Sequence, residues 1–269
     1  MIRKIADGLL AAVLAPICAA CRQPLDRPSS GPVCAACWAA IRRLEPPLCA
    51  ACGDPLPTWR PSIRDRGAEA PRGEPGAAPR REAGAASCGD HICGRCRSGP
   101  RVLAAARAAA EYDGAMRDIL HALKYGGRRS LARPLGALMR AHGGAVLAGA
   151  DAVVPVPLHW RRAWRRGFNQ ADELARSLGP PVVRALRRTR HTPSQTDLPA
   201  DERHANVRRA FRPRVRCGLR GACVVLVDDV STTGATLEAC AVALAEAGVR
   251  EVRALTAARV VTRRPARRA

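Results

Sequence analysis

A chain of 269 residues has room for one large domain or two modest ones. Aromatic residues make up only 3% of it, so any core must be built from Ala, Val, Leu and Ile, and the lack of a run of about 18 apolar residues argues against a spanning helix. The formal charge of +22 favours polyanionic partners such as nucleic acid, an anionic surface or a phosphorylated ligand, but with Lys only at positions 4 and 124 it reads as drift toward Arg as much as selection for a partner.

The first 20 residues set Arg3 and Lys4 before an apolar stretch at 9–17, as a signal peptide does. Asp7 interrupts the approach, Pro16 ends the stretch, and cleavage near Ala19 or Ala20 would strip Cys18 from its partner. The expectation is a short amphipathic helix docked on a cytoplasmic protein.

Nine of the twelve cysteines precede residue 97, and eight of these form four CxxC pairs. Without an export signal, metal ligation is favoured over disulfides. Cys18/Cys21 and Cys34/Cys37, twelve residues apart, make a four-thiolate zinc pattern in which each CxxC offers two ligands from a tight turn. Cys49/Cys52 pairs most simply with Cys93/Cys96, with Cys88 and His91 as alternative ligands. Neither set leaves an open coordination position, so both are expected to be structural zinc sites; the alternative is cysteine without metal. Residues 1–97 therefore read as a double zinc-ribbon module, with a disordered insertion at 57–86 rich in Pro, Gly, Ala, Arg and Glu. Arg22, Arg42, Arg43, Arg95 and Arg97 lie near it, consistent with a nucleic-acid backbone. No interleaved aromatics offer base stacking, so sequence-specific reading is not expected.

Residues 98–258 alternate strands and helices. A strand or edge segment is predicted at 102–112, a helix at 115–124 broken by Tyr125, Gly126 and Gly127, and a second helix at 131–141. A strand at 152–156 ends at Pro157; a helix at 169–178 stops at Gly179, Pro180 and Pro181; a strand follows at 182–186. Residues 187–216 are loop-like and basic. The apolar run 224–227 suits a strand buried on both faces, followed by a helix at 234–247, a stop at Gly248, a strand at 252–257 and a basic tail at 259–269. Such alternation predicts an α/β fold, a parallel sheet flanked by helices. Cys217, Cys223 and Cys240 read as ordinary core or surface residues.

The most informative stretch is 224–236. Four apolar residues feed Asp228 and Asp229, then Val230, Ser231, Thr232, Thr233, Gly234, Ala235 and Thr236 lead into a helix. A turn at a helix N-terminus aims several unpaired N–H groups at one point, where the helix dipole favours a phosphate. Two carboxylates beside a phosphate would repel it unless they accept hydroxyls or a divalent cation lies near. A ribose 5-phosphate meets both demands; the bland alternative is a strand end that merely caps its helix.

This segment resembles the signature of the type I phosphoribosyltransferases. The resemblance implies that Asp228 and Asp229 contact the ribose hydroxyls and that residues 231–236 grip the 5-phosphate. Other stretches narrow it to the ComF family: Val153 to His159, the RGFNQ run Arg166-Gly167-Phe168-Asn169-Gln170, Thr192 to Thr196, Arg203, Asn206, Phe211, and upstream His121 with Lys124, Tyr125 and Gly126. Lys124, Arg161, Arg162, Arg165 and Arg166 are candidates for a diphosphate or nucleic-acid phosphate, through bidentate contacts in the case of arginine. Asn169 and Gln170 either cap the next helix or touch ligand. Residues 187–216 resemble the loop that closes over the site in phosphoribosyltransferases, where His191, Gln195 and Arg203 would contribute, and closure would exclude water from a cationic sugar intermediate. The family resemblance implies a role in natural transformation, with phosphoribosyl diphosphate or a related ribose phosphate as ligand, magnesium accompanying it, and single-stranded DNA and a DNA-uptake helicase or recombination mediator as partners. The alternative is a magnesium-dependent phosphoribosyl transfer to an acceptor in nucleotide metabolism.

Overall fold

The computed structural model describes residues 15–56, 91–99, 101–159, 164, 166–189, 210–214 and 217–261. The expected N-terminal helix, the 57–86 insertion, Cys88, Arg161, Arg162, Arg165, His191, Gln195, Arg203 and the tail beyond 261 lie outside these residues.

Four strands form one parallel sheet: β1 (Leu103–Glu111), β6 (Glu251–Arg259), β5 (Cys223–Ser231) and β2 (Ala152–Pro155), side by side in that order. The pairing sets Val153 beside Val225, and Leu226 beside Ala254. Residues 223–227 are all buried, as their continuous apolar run requires of a strand covered on both faces. Outside β2 the expected strand at 182–186 shrinks to one parallel bridge, Val153 to Val182. Arg184 leaves the sheet there, its Nε and Nη2 donating to the two oxygens of Asp172 at 2.7 and 2.6 Å. The chain then forms a small antiparallel pair, β3 (Leu186–Arg188) with β4 (Phe211–Pro213).

Helices cover both faces. On one lie α3 (Gly114–Tyr125), α4 (Ala132–His142) and α6 (Gln170–Ala175). Between α4 and β2 sits the single turn α5 (Gly144–Leu147). Helix α3 starts where the Asp113 carboxylate accepts the Gly114 N–H, and it buries Met116, Ile119, Leu120 and Leu123, one stripe at helical spacing. Each such side chain contributes about 1.5–3 kcal/mol by leaving water. The opposite face carries α7 (Ala235–Glu246), wedged between the sheet and the β3–β4 pair. Its alanines keep it buried on nearly every side: Ala235, Ala239, Ala241 and Ala243 all lie in the core. No helix among the described residues is long and apolar enough to cross a membrane.

Among its described residues the cysteine-rich module holds two short α-helices, α1 (Ala35–Ala39) and α2 (Gly94–Arg97), and it docks along the open edge of β1. The Leu44 N–H donates to Ala109 O at 3.2 Å, the Glu111 N–H to Arg42 O at 2.9 Å, and the Ala106 N–H to Ala51 O at 2.8 Å. These bonds occupy backbone groups that a free edge strand would leave open to aggregation. Gly53 fits the seam because it has no Cβ: a Cβ there would stand 2.7 Å from Ala106 O, on a backbone with φ of +69°.

Candidate functional site

Strand β5 runs past its apolar segment, so Asp228, Asp229, Val230 and Ser231 belong to the strand and the turn proper begins at Thr232. Side chains of a strand alternate between faces. Asp229 turns toward α3, where its Oδ2 pairs with Lys124 Nζ at 2.8 Å. Asp228 shares the alternate register of Val224 and Leu226, which pack with α7. Asp228 Oδ1 accepts the Asp229 N–H, and Asp229 Oδ1 accepts the Val230 N–H, both at 2.8 Å. The two acids thus leave the end of one strand in alternating register, yet their carboxyls stay close enough to interact.

Electrostatics follow from this crowding. Burial, then the adjacent charge of Asp229, holds the Asp228 carboxyl well above the ordinary carboxylate range. For Lys124, burial works against the ammonium, but Asp229 and Asp228 outweigh it and the net shift is upward. A protonated Asp228 can donate to an oxygen, and an ionised Asp229 can accept a hydroxyl once Lys124 gives way.

Beyond the acids, Thr232 is exposed, Thr233, Gly234 and Thr236 are half-buried, and Ala235 is buried at the head of α7. Gly234 caps that helix in the left-handed region, at φ of +84°, and a Cβ would meet nothing within 4 Å. Gly234 is therefore needed for its backbone shape more than for room. The Thr233 hydroxyl accepts the Ala235 N–H at 3.3 Å, a bond a phosphate would compete with. Ser231 Oγ is buried with no hydrogen-bond partner among the described residues.

Lys124 ends up on Asp229, adjoining the site but not standing apart from it as a second phosphate pocket. The Arg166 guanidinium lies over the Tyr125 ring, 4.8 Å from its centroid, and its Nη1 donates to Gln170 Oε1 at 3.1 Å. Asn169 does cap its helix: Oδ1 accepts the Ala171 N–H, while Nδ2 donates to Val156 O at 3.0 Å and pins the RGFNQ run to the end of β2. Sequence reasoning assigned Tyr125 no role as a platform for Arg166 and did not single out Arg129, which covers the Phe168 ring at 4.6 Å and donates to Gly167 O at 2.9 Å. Only the recurrence of Arg near each scarce aromatic could have drawn attention to them.

The cysteines assemble as two sets, Cys18, Cys21, Cys34 and Cys37, then Cys49, Cys52, Cys93 and Cys96, with all sulfurs of a set within 4.8 Å. No disulfide joins any of these eight. Sulfur pairs stand 3.9 Å apart for Cys18–Cys37 and 3.8 Å for Cys21–Cys34 and Cys52–Cys93. A tetrahedral zinc with Zn–S of about 2.3 Å separates its sulfurs by about 3.8 Å, so both sets fit the ion. Burial resists ionisation of Cys18 and Cys49, but backbone N–H groups outweigh it and lower both to about 6. The His91 ring takes no part in the second set. Arg101 Nη1 lies 2.6 Å from Cys96 Sγ, and Arg95 Nη2 lies 3.8 Å from Cys52 Sγ. Of the arginines near the module, Arg95 also pairs with Asp54 at 3.5 Å, and Arg42 pairs with Glu111 and Asp113; Arg22, Arg43 and Arg97 are exposed.

Comparison with known proteins bears on both halves. Residues 9–67 match the double zinc ribbon domain, and residues 164–269 match the phosphoribosyl transferase domain. The chain is 36% identical over 155 residues to the DNA utilization protein YhgH of Escherichia coli K12, covering 54% of this chain and 67% of that one. It is 30% identical over 231 residues to the Salmonella typhi protein of the same name, covering 82% of this chain and 87% of that one. Competence protein F of Haemophilus influenzae is 40% identical over 108 residues, covering 38% of this chain and 47% of its own length.

Proposed function

Because the chain belongs to the ComF family, whose two-part plan it follows, we propose that it binds phosphoribosyl diphosphate or a related ribose phosphate and serves DNA uptake by handling single-stranded DNA in the cytoplasm. The observation that carries this is the strand end itself: Asp228 and Asp229 flank a turn that opens α7 with a left-handed Gly234.

In this reading the N–H groups of residues 232–236, with the hydroxyls of Thr232, Thr233 and Thr236, hold the 5-phosphate at the positive end of α7. Ser231 and Ala235 frame the turn. The ribose hydroxyls donate to Asp229 and accept a hydrogen bond from the Asp228 carboxyl. Lys124 leaves Asp229 for the second phosphate group, joined by Arg166 and by Arg161, Arg162 and Arg165. Magnesium, when bound with the diphosphate, offsets its charge beside the two acids. Thermal unfolding with magnesium and phosphoribosyl diphosphate tests the pocket: the parent should gain stability, and the Asp228→Asn/Asp229→Asn variant should gain much less. Equal gains, or none, would sink it.

Support for the DNA role comes from the relatives named for competence and DNA utilization and from a formal charge of +22. A DNA-uptake helicase or recombination mediator is the expected protein partner. The logarithm of the affinity for single-stranded DNA should fall linearly with the logarithm of salt concentration; no binding at low salt would remove this role.

A second reading, a magnesium-dependent phosphoribosyl transfer to an acceptor, is favoured by the completeness of the acid pair and turn. Release of pyrophosphate from phosphoribosyl diphosphate, dependent on an added base or nucleic acid, would establish it; its absence across such acceptors leaves a binding role.

A further inference from the structure

The phosphate loop is tied at both ends to the second cysteine set. At its entry, Ser231 stands beside Arg259 in the β5–β6 register, and the Val260 N–H donates to Ser231 O at 2.9 Å. Arg259 is 3% exposed; its Nε reaches Asp54 Oδ1 at 2.6 Å and its Nη1 donates to the Cys52 carbonyl at 3.0 Å. At its exit, Glu238 in the first turn of α7 accepts the Val102 N–H at 2.5 Å. The preceding residue, Arg101, donates to Cys96 Sγ at 2.6 Å. Each end of the loop is therefore a short chain of hydrogen bonds away from a metal-ligand position.

The Cys93 N–H donates to Cys49 Sγ at 3.3 Å, so sulfur holds the Cys49–Asp54 turn to the Cys93–Cys96 turn. The Gly53 N–H donates to Cys49 O and the Cys49 N–H to Asp54 O, so this turn presents Asp54 and the Cys52 carbonyl to Arg259. A guanidinium is buried at tolerable cost only while such partners stay in place. If the turn opens, Arg259 loses them, and the strand end beside Ser231 loosens with it. The Cys96 side behaves alike, because Arg101 loses its thiolate and Val102 its fixed approach to Glu238. The first cysteine set differs: residues 42–44 anchor it to Ala109 and Glu111 on β1, with β6 standing between β1 and β5.

We infer that Arg259 and Arg101 are positioning residues through which metal at Cys49, Cys52, Cys93 and Cys96 sets the affinity of the loop for a ribose phosphate. This rests on the reading of the loop given above. Linkage makes the effect reciprocal: ligand in the loop must hold metal in the second set by the same factor.

The test is zinc transfer to a colorimetric chelator from the zinc-loaded full chain, with and without ribose 5-phosphate, alongside calorimetric binding of the same compound. Ribose 5-phosphate should slow release of one zinc per chain by ~10-fold and leave the other unchanged. A Cys21→Ser/Cys34→Ser variant, keeping only the second set, should retain the slowed release. Arg259→Gln and Arg101→Gln should keep their zinc and a cooperative melt, lose the slowing, and bind ribose 5-phosphate weaker by a similar factor; Arg259→Lys should restore part of it. Should Arg259→Gln fail to fold, Arg101→Gln, on the ribbon side of the seam, carries the test. Slowing that persists in Arg101→Gln, or binding by the parent with no change in zinc release, overturns the inference alone. A parent that does not bind ribose 5-phosphate overturns the reading of the loop and this inference with it.

Discussion

Lys124 Nζ stands 2.8 Å from Asp229 Oδ2, so a cation from helix α3 neutralises the second of two consecutive acids at the end of β5. Both side chains are largely buried, 15% and 7% exposed. Removing one partner of such a pair leaves an uncompensated charge, and Lys124→Met should cost about 3 kcal/mol at neutral pH in denaturant melts. Asp229→Asn added to Lys124→Met should recover most of the loss. In the parent, the raised Lys124 value means that the lysine's contribution is undiminished at neutral pH and fades as pH climbs above 10.5 through the raised value.

Asp228 works in the opposite sense. Its folded-state value lies above the ordinary 3.8, so it costs the empty protein stability that grows as pH rises from 3.8 to the raised value and stays constant above it. Asp228→Asn should therefore stabilise the ligand-free chain at neutral pH by about 0.5–2 kcal/mol, a trade of function for stability. The gain should vanish as pH falls toward 3.8, where the parent acid is itself protonated. Ribose 5-phosphate binding should weaken in the same variant.

Gly53 marks the seam between module and sheet. Gly53→Ala forces a Cβ against Ala106 O on a left-handed backbone. A loss of about 1–3 kcal/mol is expected, together with faster proteolysis of the cysteine-rich module. Gly234→Ala, by contrast, meets open space and bears only the backbone cost, so it should weaken ligand binding more than it lowers stability.

Metal analysis of the purified chain should return about two zinc ions. Cys52→Ser should lower that by about one while leaving the first set filled. A value near zero in the parent would reject both structural sites.

The parallel sheet was legible because its strands declare themselves locally: residues 224–227 are apolar without a break, and Asn169 and Gly248 bound their helices as capping chemistry demands. The eight ligand cysteines were equally legible, since CxxC spacing is a local property. What escaped were relations set at long range. Arg259 reads as the start of a solvated basic tail, yet it is buried, because Asp54, 205 residues earlier, reaches it through the folded module. The pairing of Lys124 with Asp229 likewise follows from packing α3 over β5 rather than from spacing. The strand expected at 182–186 failed because Arg184 was drawn out of line by Asp172, a contact no period reveals.

The most direct test of the central claim is a crystal structure of the full chain with phosphoribosyl diphosphate and magnesium. The account predicts the 5-phosphate on the N–H groups of residues 232–236, the ribose hydroxyls at Asp228 and Asp229, and Lys124 withdrawn from Asp229. Ligand seated away from this turn, with the pair of Lys124 and Asp229 intact, would contradict it.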